Sequence, residues 1–219
     1  MSVLIIFIQK AIVQGICILY GALGEIMTEK SGNLNLGIPG IMYMGGISGL
    51  MGAFLYEKDN PNPNALIGVL ISFLCAFACA AIGENPGTAD AAGINVIKYK
   101  YLSTCIGAGL AGLGGLYFVM EYSGGTWTDN GFGDRGWLAV ALVIFALWKP
   151  LNAIWGAFLF GALYILYLYI PGLGRSMQEV FKALPYVVTI IVLVFTSFRK
   201  KKEHQPPAAL GLPYFREER

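Results

Sequence analysis

Charge is scarce in this chain. Only 13% of its 219 residues are Asp, Glu, Lys or Arg, where soluble domains run near a quarter. Its 56% hydrophobic content and mean hydropathy of +0.63 exclude an ordinary soluble domain. Histidine is limited to His204, near the C-terminus. The four cysteines, Cys17, Cys75, Cys79 and Cys105, all fall inside apolar runs without zinc-ligand spacing. They read as small packing residues rather than metal or redox groups. No G-x4-G-K-[ST] phosphate loop, G-x-S-x-G elbow or H-E-x-x-H pair occurs. The sequence therefore offers no catalytic residue, no cofactor site and no metal site. A net charge of +2 gives no footprint for nucleic acid. Intramembrane charge is also nearly missing, with Glu25 close to one end of the first apolar run, and a proton or ion relay normally needs such groups.

What is present is apolar length. About 20 residues cross a bilayer, and runs of that order recur at 3–27, 38–56, 65–83, 101–121, 151–170 and 183–198, with a shorter one at 137–148. The expected fold is an all-α polytopic membrane bundle of six or seven segments. Turn chemistry separates them: Thr28–Asn33, Lys58–Asn64, Gly124–Gly136, Lys149-Pro150 and Pro171–Arg175. The first run lacks a basic leader and an A-x-A site, so it reads as a retained span. Placing Arg199, Lys200, Lys201 and Lys202 in the cytoplasm also puts Lys30, Lys98, Lys100 and Lys149 inside. Lys58, Arg135, Arg175 and Lys182 are then outside. Lys10 marks where the first run meets the outer surface, by snorkelling.

The run Trp137–Trp148 covers only about 18 Å as a helix. Either a half-helix completed by the preceding loop or a tilted span starting earlier fits it; a half-helix needs protein or a water-filled cavity around it. Glycines crowd 45–52 and 107–115 at spacings that let helix backbones approach. Packing within the chain is their first expected use, contact between subunits the second.

One polar segment stands apart: Gly83-Glu84-Asn85-Pro86-Gly87-Thr88-Ala89-Asp90-Ala91-Ala92-Gly93-Ile94-Asn95-Val96. Asn85 suits an N-cap and Pro86 a first helical position. Asp90 falls in the first turn, and Gly93 supplies a stop. About two turns of helix, roughly 10 Å, fit between two spans. This reads equally as an ordinary capped loop helix or as a rigid knob for a groove on another protein.

This island resembles the cytoplasmic coupling segment of ATP-binding-cassette (ABC) importer permeases of the nucleoside and simple-sugar type, grouped with the branched-chain amino acid and ribose permeases. The family run G-E-N-P-x-A-A-D-x-x-G-I-N-V is matched at Gly83, Glu84, Asn85, Pro86, Ala89, Asp90, Gly93, Ile94, Asn95 and Val96, and departed from at Gly87 and Thr88. Leu23–Ile26, Glu29–Gly37 and Gly40–Met42 resemble the entry into the family's second helix, with Pro39 where a glutamate is usual. Trp127-Thr128, Arg135–Trp137, Ala141–Phe145 and Trp148–Leu151 resemble its outer loop and half-helix, with Asp134 replacing a small residue. Pro185–Thr189 and Leu210–Tyr214 match as well.

The resemblance implies a permease domain over 1–198, with the coupling helix at 84–96 and a cytoplasmic tail at 199–219. The chain is expected in the cell membrane, a bacterial inner membrane. It implies several partners: a separate ABC ATPase, a second permease subunit (identical or related), an extracytoplasmic substrate-binding protein and membrane lipid. Transport of a nucleoside or simple sugar by alternating access follows, with hydrolysis left to the ATPase. Candidate path residues are Gln14 and Asn152 on helices and Trp127 and Asn130 in the outer loop. Trp127 also suits an interfacial anchor.

Family chains usually run to about 300 residues. Near Phe73–Ile82 the third run passes straight into the island, as if about two spans were missing. An even number keeps both flanks on their own sides. The gap makes a degenerate permease or a non-transporting scaffold or regulatory subunit the alternative. A secondary transporter is a third reading, weakened by the lack of intramembrane charge.

Overall fold

The computed structural model describes residues 3–60, 63–82, 96–129, 131–199, 206–207 and 210–211, with the backbone alone at 77–82, 96–99, 197 and 199. Its elements are helical, and no strand occurs among the described residues. In chain order they are α1 (Val3–Lys30), α2 (Ile38–Asp59), α3 (Ala65–Ile82), α4 (Val96–Tyr117), a π-helical turn (Phe118–Tyr122), α5 (Arg135–Ala146), α6 (Pro150–Ile165), a 3-10 turn (Leu166–Tyr169), α7 (Arg175–Lys182) and α8 (Leu184–Arg199). Five helical stretches among the described residues are long and apolar enough to cross a membrane: Val3–Lys30, Ile38–Asp59, Lys100–Tyr122, Pro150–Tyr169 and Arg175–Thr196. The chain is a multi-pass membrane protein.

Local chemistry sets the boundaries. Pro39 and Pro150 stand in the first turns of α2 and α6, where a missing N–H costs nothing. The Asn60 amide donates to Tyr56 O at 2.8 Å as α2 ends, and Asn64 Oδ1 accepts from Leu66 N at 2.9 Å as α3 begins. α7 differs from the sequence expectation, which left 175–182 outside any span. It is a short amphipathic helix, with Gln178 holding the Leu173 carbonyl at 3.2 Å.

α1 is the central element, packing against α4, α5 and α6; α2 and α3 pack on the far side of α4. The helices meet through glycine. A Cβ on Gly24 would collide with the Gly107 carbonyl, and one on Gly107 with that of Gly24. Gly45 faces the backbone of Gly112, and Gly115 lies against the Met42 carbonyl. On the other flank of α1, Gly161 lies against the Ala11 carbonyl, and a Cβ on Gly15 would stand 2.6 Å from Ala157 O. The glycine-rich stretches thus serve contacts within the chain. In lipid, where apolar burial between helices brings little, such close approach gains dispersion contacts along whole backbones. Large apolar side chains are instead exposed outward, among them Leu66 and Leu74 of α3 and Phe195 and Phe198 of α8. A bilayer solvates such a surface.

Candidate functional site

α5 has 12 residues and a length of roughly 18 Å. Its first turn sits on α2, with Gly136 against Pro39. Ala139 reaches Gly21, midway along α1. Trp148, just past its end, reaches Glu29 near the end of α1. α5 therefore accompanies only the second half of α1. Described residues 123–129 and 131–134 ahead of it form turns and loop, not helix. Of the two readings of this segment, the half-helix is the one observed.

The first turn of α5 is organised by Arg135. Its side chain is only 4% exposed, enclosed by residues far apart in sequence. The guanidinium carbon lies 4.3 Å from the Phe118 ring centroid, 4.7 Å from that of Tyr122 and 5.3 Å from that of Tyr164. These are cation–π distances. One terminal nitrogen donates to Gly131 O at 3.0 Å and Phe132 O at 2.5 Å, fixing the loop that precedes α5. Phe132 packs edge-on against Phe118 with centroids 5.2 Å apart. Arg135 Nε has no hydrogen-bond partner among the described residues. A cavity of about 250 Å³ opens beside this group, towards α7.

The last turn of α5 is closed differently. Leu147 and Trp148 both adopt left-handed backbone, with φ of 54° and 56°, unusual for non-glycine residues. Leu147 N, Trp148 N and Lys149 N donate to the carbonyls of Ile144, Val143 and Ala146 at 3.1, 3.2 and 3.1 Å, closing the helix end as a C-cap does. The turn aims the Trp148 indole N–H at Glu29 Oε2, 2.5 Å away.

Other segments join at this end. Ser103 Oγ donates to Met27 O at 2.7 Å, and Asn33 Nδ2 donates to Thr104 Oγ1 at 2.8 Å, tying the start of α4 to the end of α1. Gly211 N donates to Gly32 O at 3.2 Å. The segments that the charge pattern assigned to one side of the membrane thus gather at one end of the bundle: Lys30, the start of α4 after the polar island, Lys149 and the C-terminal segment.

The residues singled out from sequence fare unevenly. The coupling residues Gly83, Glu84, Asn85, Pro86, Ala89, Asp90, Gly93, Ile94 and Asn95 lie outside the described residues, as does Asn130. Gln14 is buried within α1, and neither its amide nitrogen nor its oxygen has a partner among the described residues. Trp127 is half-buried and meets Tyr43 edge-on, centroids 4.7 Å apart. Asn152 is exposed and donates to Ala146 O at 3.3 Å, at the closed end of α5. Trp127 and Asn152 therefore sit at opposite ends of α5. Sequence reasoning missed the Arg135 cluster and the Glu29–Trp148 pair. The one available signal was Arg135 beside Asp134, a charged pair opening an apolar run.

A helical bundle that encloses a half-helix defines a class of multi-pass membrane proteins in which irregular backbone is sheltered by protein. Within it, residues 77–193, just over half of the chain, match the family described as branched-chain amino acid transport system / permease component, and the chain belongs to that family. Among curated relatives it is 34% identical over 157 residues to a Haloferax volcanii protein provisionally named as a glucose ABC transporter permease, covering 63% of this chain and 47% of the relative. It is 34% identical over 116 residues to the nucleoside ABC transporter permease protein of Lactococcus lactis, covering 52% and 36%. It is 32% identical over 143 residues to the guanosine ABC transporter permease protein of Bacillus subtilis, covering 64% and 43%. The matches thus span less than half the length of each of these relatives. No solved structure is significantly similar to the chain.

Proposed function

We propose that the chain is a membrane-spanning permease subunit of an ATP-driven importer that moves a nucleoside or simple sugar by alternating access. The observation that carries this reading is the family match across 77–193, which includes the polar island. The names of the relatives supply the solute class. In this reading Gly83–Asn95 docks in a groove of a separate ABC ATPase, where hydrolysis occurs. A second permease subunit completes the path, and a substrate-binding protein delivers solute from outside. The end of the bundle that gathers Lys30, Lys149 and Gly211 faces the cytoplasm, in keeping with its basic residues, and 199–219 is a cytoplasmic tail. Gln14, Trp127, Asn130 and Asn152 are candidates along the path.

The test is co-expression of the full chain with candidate ATPase and binding-protein partners, followed by uptake into reconstituted vesicles. ATP-dependent uptake that disappears in Asp90→Lys is the expected result. The third apolar run, which passes straight into the polar island near Phe73–Ile82, favours one further reading, a degenerate permease or non-transporting scaffold; ATPase co-purification without uptake would support that instead. Failure to capture any ATPase from a well-expressed chain would overturn both.

A further inference from the structure

The cavity beside Arg135 lies where two helices leave regular geometry. α4 widens into the π turn Phe118–Tyr122, and α6 tightens into the 3-10 turn Leu166–Tyr169. Both irregular turns contribute to its wall, through Tyr122 and Tyr167. Such departures cost helix hydrogen bonding and recur at functional sites. The two turns leave a space of about 250 Å³, just below the range that encloses drug-sized ligands. That is room for a solute of one or two rings.

The lining specifies the chemistry. Tyr167 provides ring surface beside Tyr122 and Tyr164, which already carry the Arg135 guanidinium, and Asp134, Glu179, Arg135 and Lys182 line the same space with charged groups. Two formal positive charges face two negative ones, so the cavity has no net charge with which to hold an ion. Aromatic faces suit the C–H face of a sugar ring, and carboxylates and cations suit its hydroxyls. The α7 side of the cavity is held by weak contacts: Lys182 Nζ lies 2.7 Å from Glu179 Oε1 and 5.3 Å from the Tyr167 ring centroid. Both charged groups are partly exposed, so exchanging these contacts for solute hydroxyls costs little.

We propose that this cavity is a solute subsite within the single subunit, taking one neutral, hydroxyl-rich ring, with Tyr167 stacking on it and Lys182 and Glu179 binding its hydroxyls. The proposal rests on the importer reading for the class of solute, and it is tested apart from it. The probes are tritiated D-glucose, D-ribose and guanosine, presented to the purified full chain in lipid nanodiscs. Saturable binding of at least one is expected. Tyr167→Ala and Lys182→Met should each weaken it about tenfold, the scale of one stacking or charge-assisted contact. Both variants should keep the wild-type elution volume and melting temperature. No saturable binding of any probe at millimolar concentration, from a chain that still captures its ATPase, would overturn the subsite and leave the importer reading standing. Binding unmoved in the Tyr167→Ala/Lys182→Met double variant would also overturn it. Binding that falls with these substitutions, in a chain that captures no ATPase, would support the subsite while the importer reading fails.

Discussion

At its first turn α5 rests on Arg135, a buried cation ringed by Phe118, Tyr122 and Tyr164 with a cavity at its side. At its last turn it ends in two left-handed residues and one short hydrogen bond from Trp148 to Glu29. The first end combines diffuse cation–π contacts with two hydrogen bonds from Arg135 to loop carbonyls, and the Arg135 Nε has no partner among the described residues. The second is held by directional hydrogen bonds alone, each with a defined donor and acceptor. Cation–π contacts tolerate displacement, because attraction varies gently across a ring face; a short charge-assisted hydrogen bond does not. The same half-helix thus leans on aromatic rings at the cavity and is tied by hydrogen bonds alone where α1, α4 and the C-terminal segment meet.

This contrast can be broken at either end. The largest effect is expected from Arg135→Leu, which strips the donor from two loop carbonyls and removes the cation from its rings. A loss of about 3 kcal/mol, summed over those groups, should appear as a lower melting temperature of the detergent-solubilised chain. An unchanged melting temperature would show that Arg135 does not organise the loop. Next, Trp148→Phe keeps the ring but removes the indole donor, leaving a mostly buried Glu29 oxygen unpaired. About 2 kcal/mol is expected, with Glu29→Gln milder because an amide oxygen still accepts. Equal losses in the two variants would argue against a charge-assisted bond. Gln14→Leu should raise stability by about 1 kcal/mol, since neither amide atom has a partner among the described residues around its buried site; a loss would reveal a further partner for this side chain. The smallest effect belongs to Glu179→Gln on α7, under about 0.5 kcal/mol for a largely exposed pair. A melting temperature that fell as far as for Trp148→Phe would make α7 a structural strut.

Much of the architecture was legible from local pattern. Apolar runs bounded by Thr28–Asn33, Lys58–Asn64 and Lys149-Pro150 give the spans, because each run must satisfy its own backbone in lipid. The brevity of 137–148 left a half-helix and a tilted span equally open, and the spacing of Gly107, Gly112 and Gly115 pointed to close helix contact. Family membership was legible in the polar island and in the motifs around the half-helix. The Arg135 cluster was not. Its partners come from the π turn, α6 and the loop at Gly131-Phe132, and no periodicity along one segment records that they converge. Charge bias sees only that an arginine follows a polar loop, which describes an outer loop equally well. α7 escaped for a related reason: Arg175–Lys182 is too short and too charged to register as a span, and its amphipathic pattern shows only when wound as a helix. Gln14 was singled out by its polarity, but its lack of partners is a property of the packed core.

The glycine contacts along α1 constrain how the subunit can move. Gly24 interlocks with Gly107 of α4, and Gly15 lies against α6 at Ala157 and Gly161, so no side chain separates α1 from either neighbour. Backbones in such contact cannot slide past one another without collision. The three helices therefore form a keel, and the described connections that leave it hold glycines at positive φ: Gly32 after α1, Gly124, Gly125 and Gly133 ahead of α5, and Gly172 after the 3-10 turn. A rocking motion of this subunit would pivot at such connections and leave the keel intact.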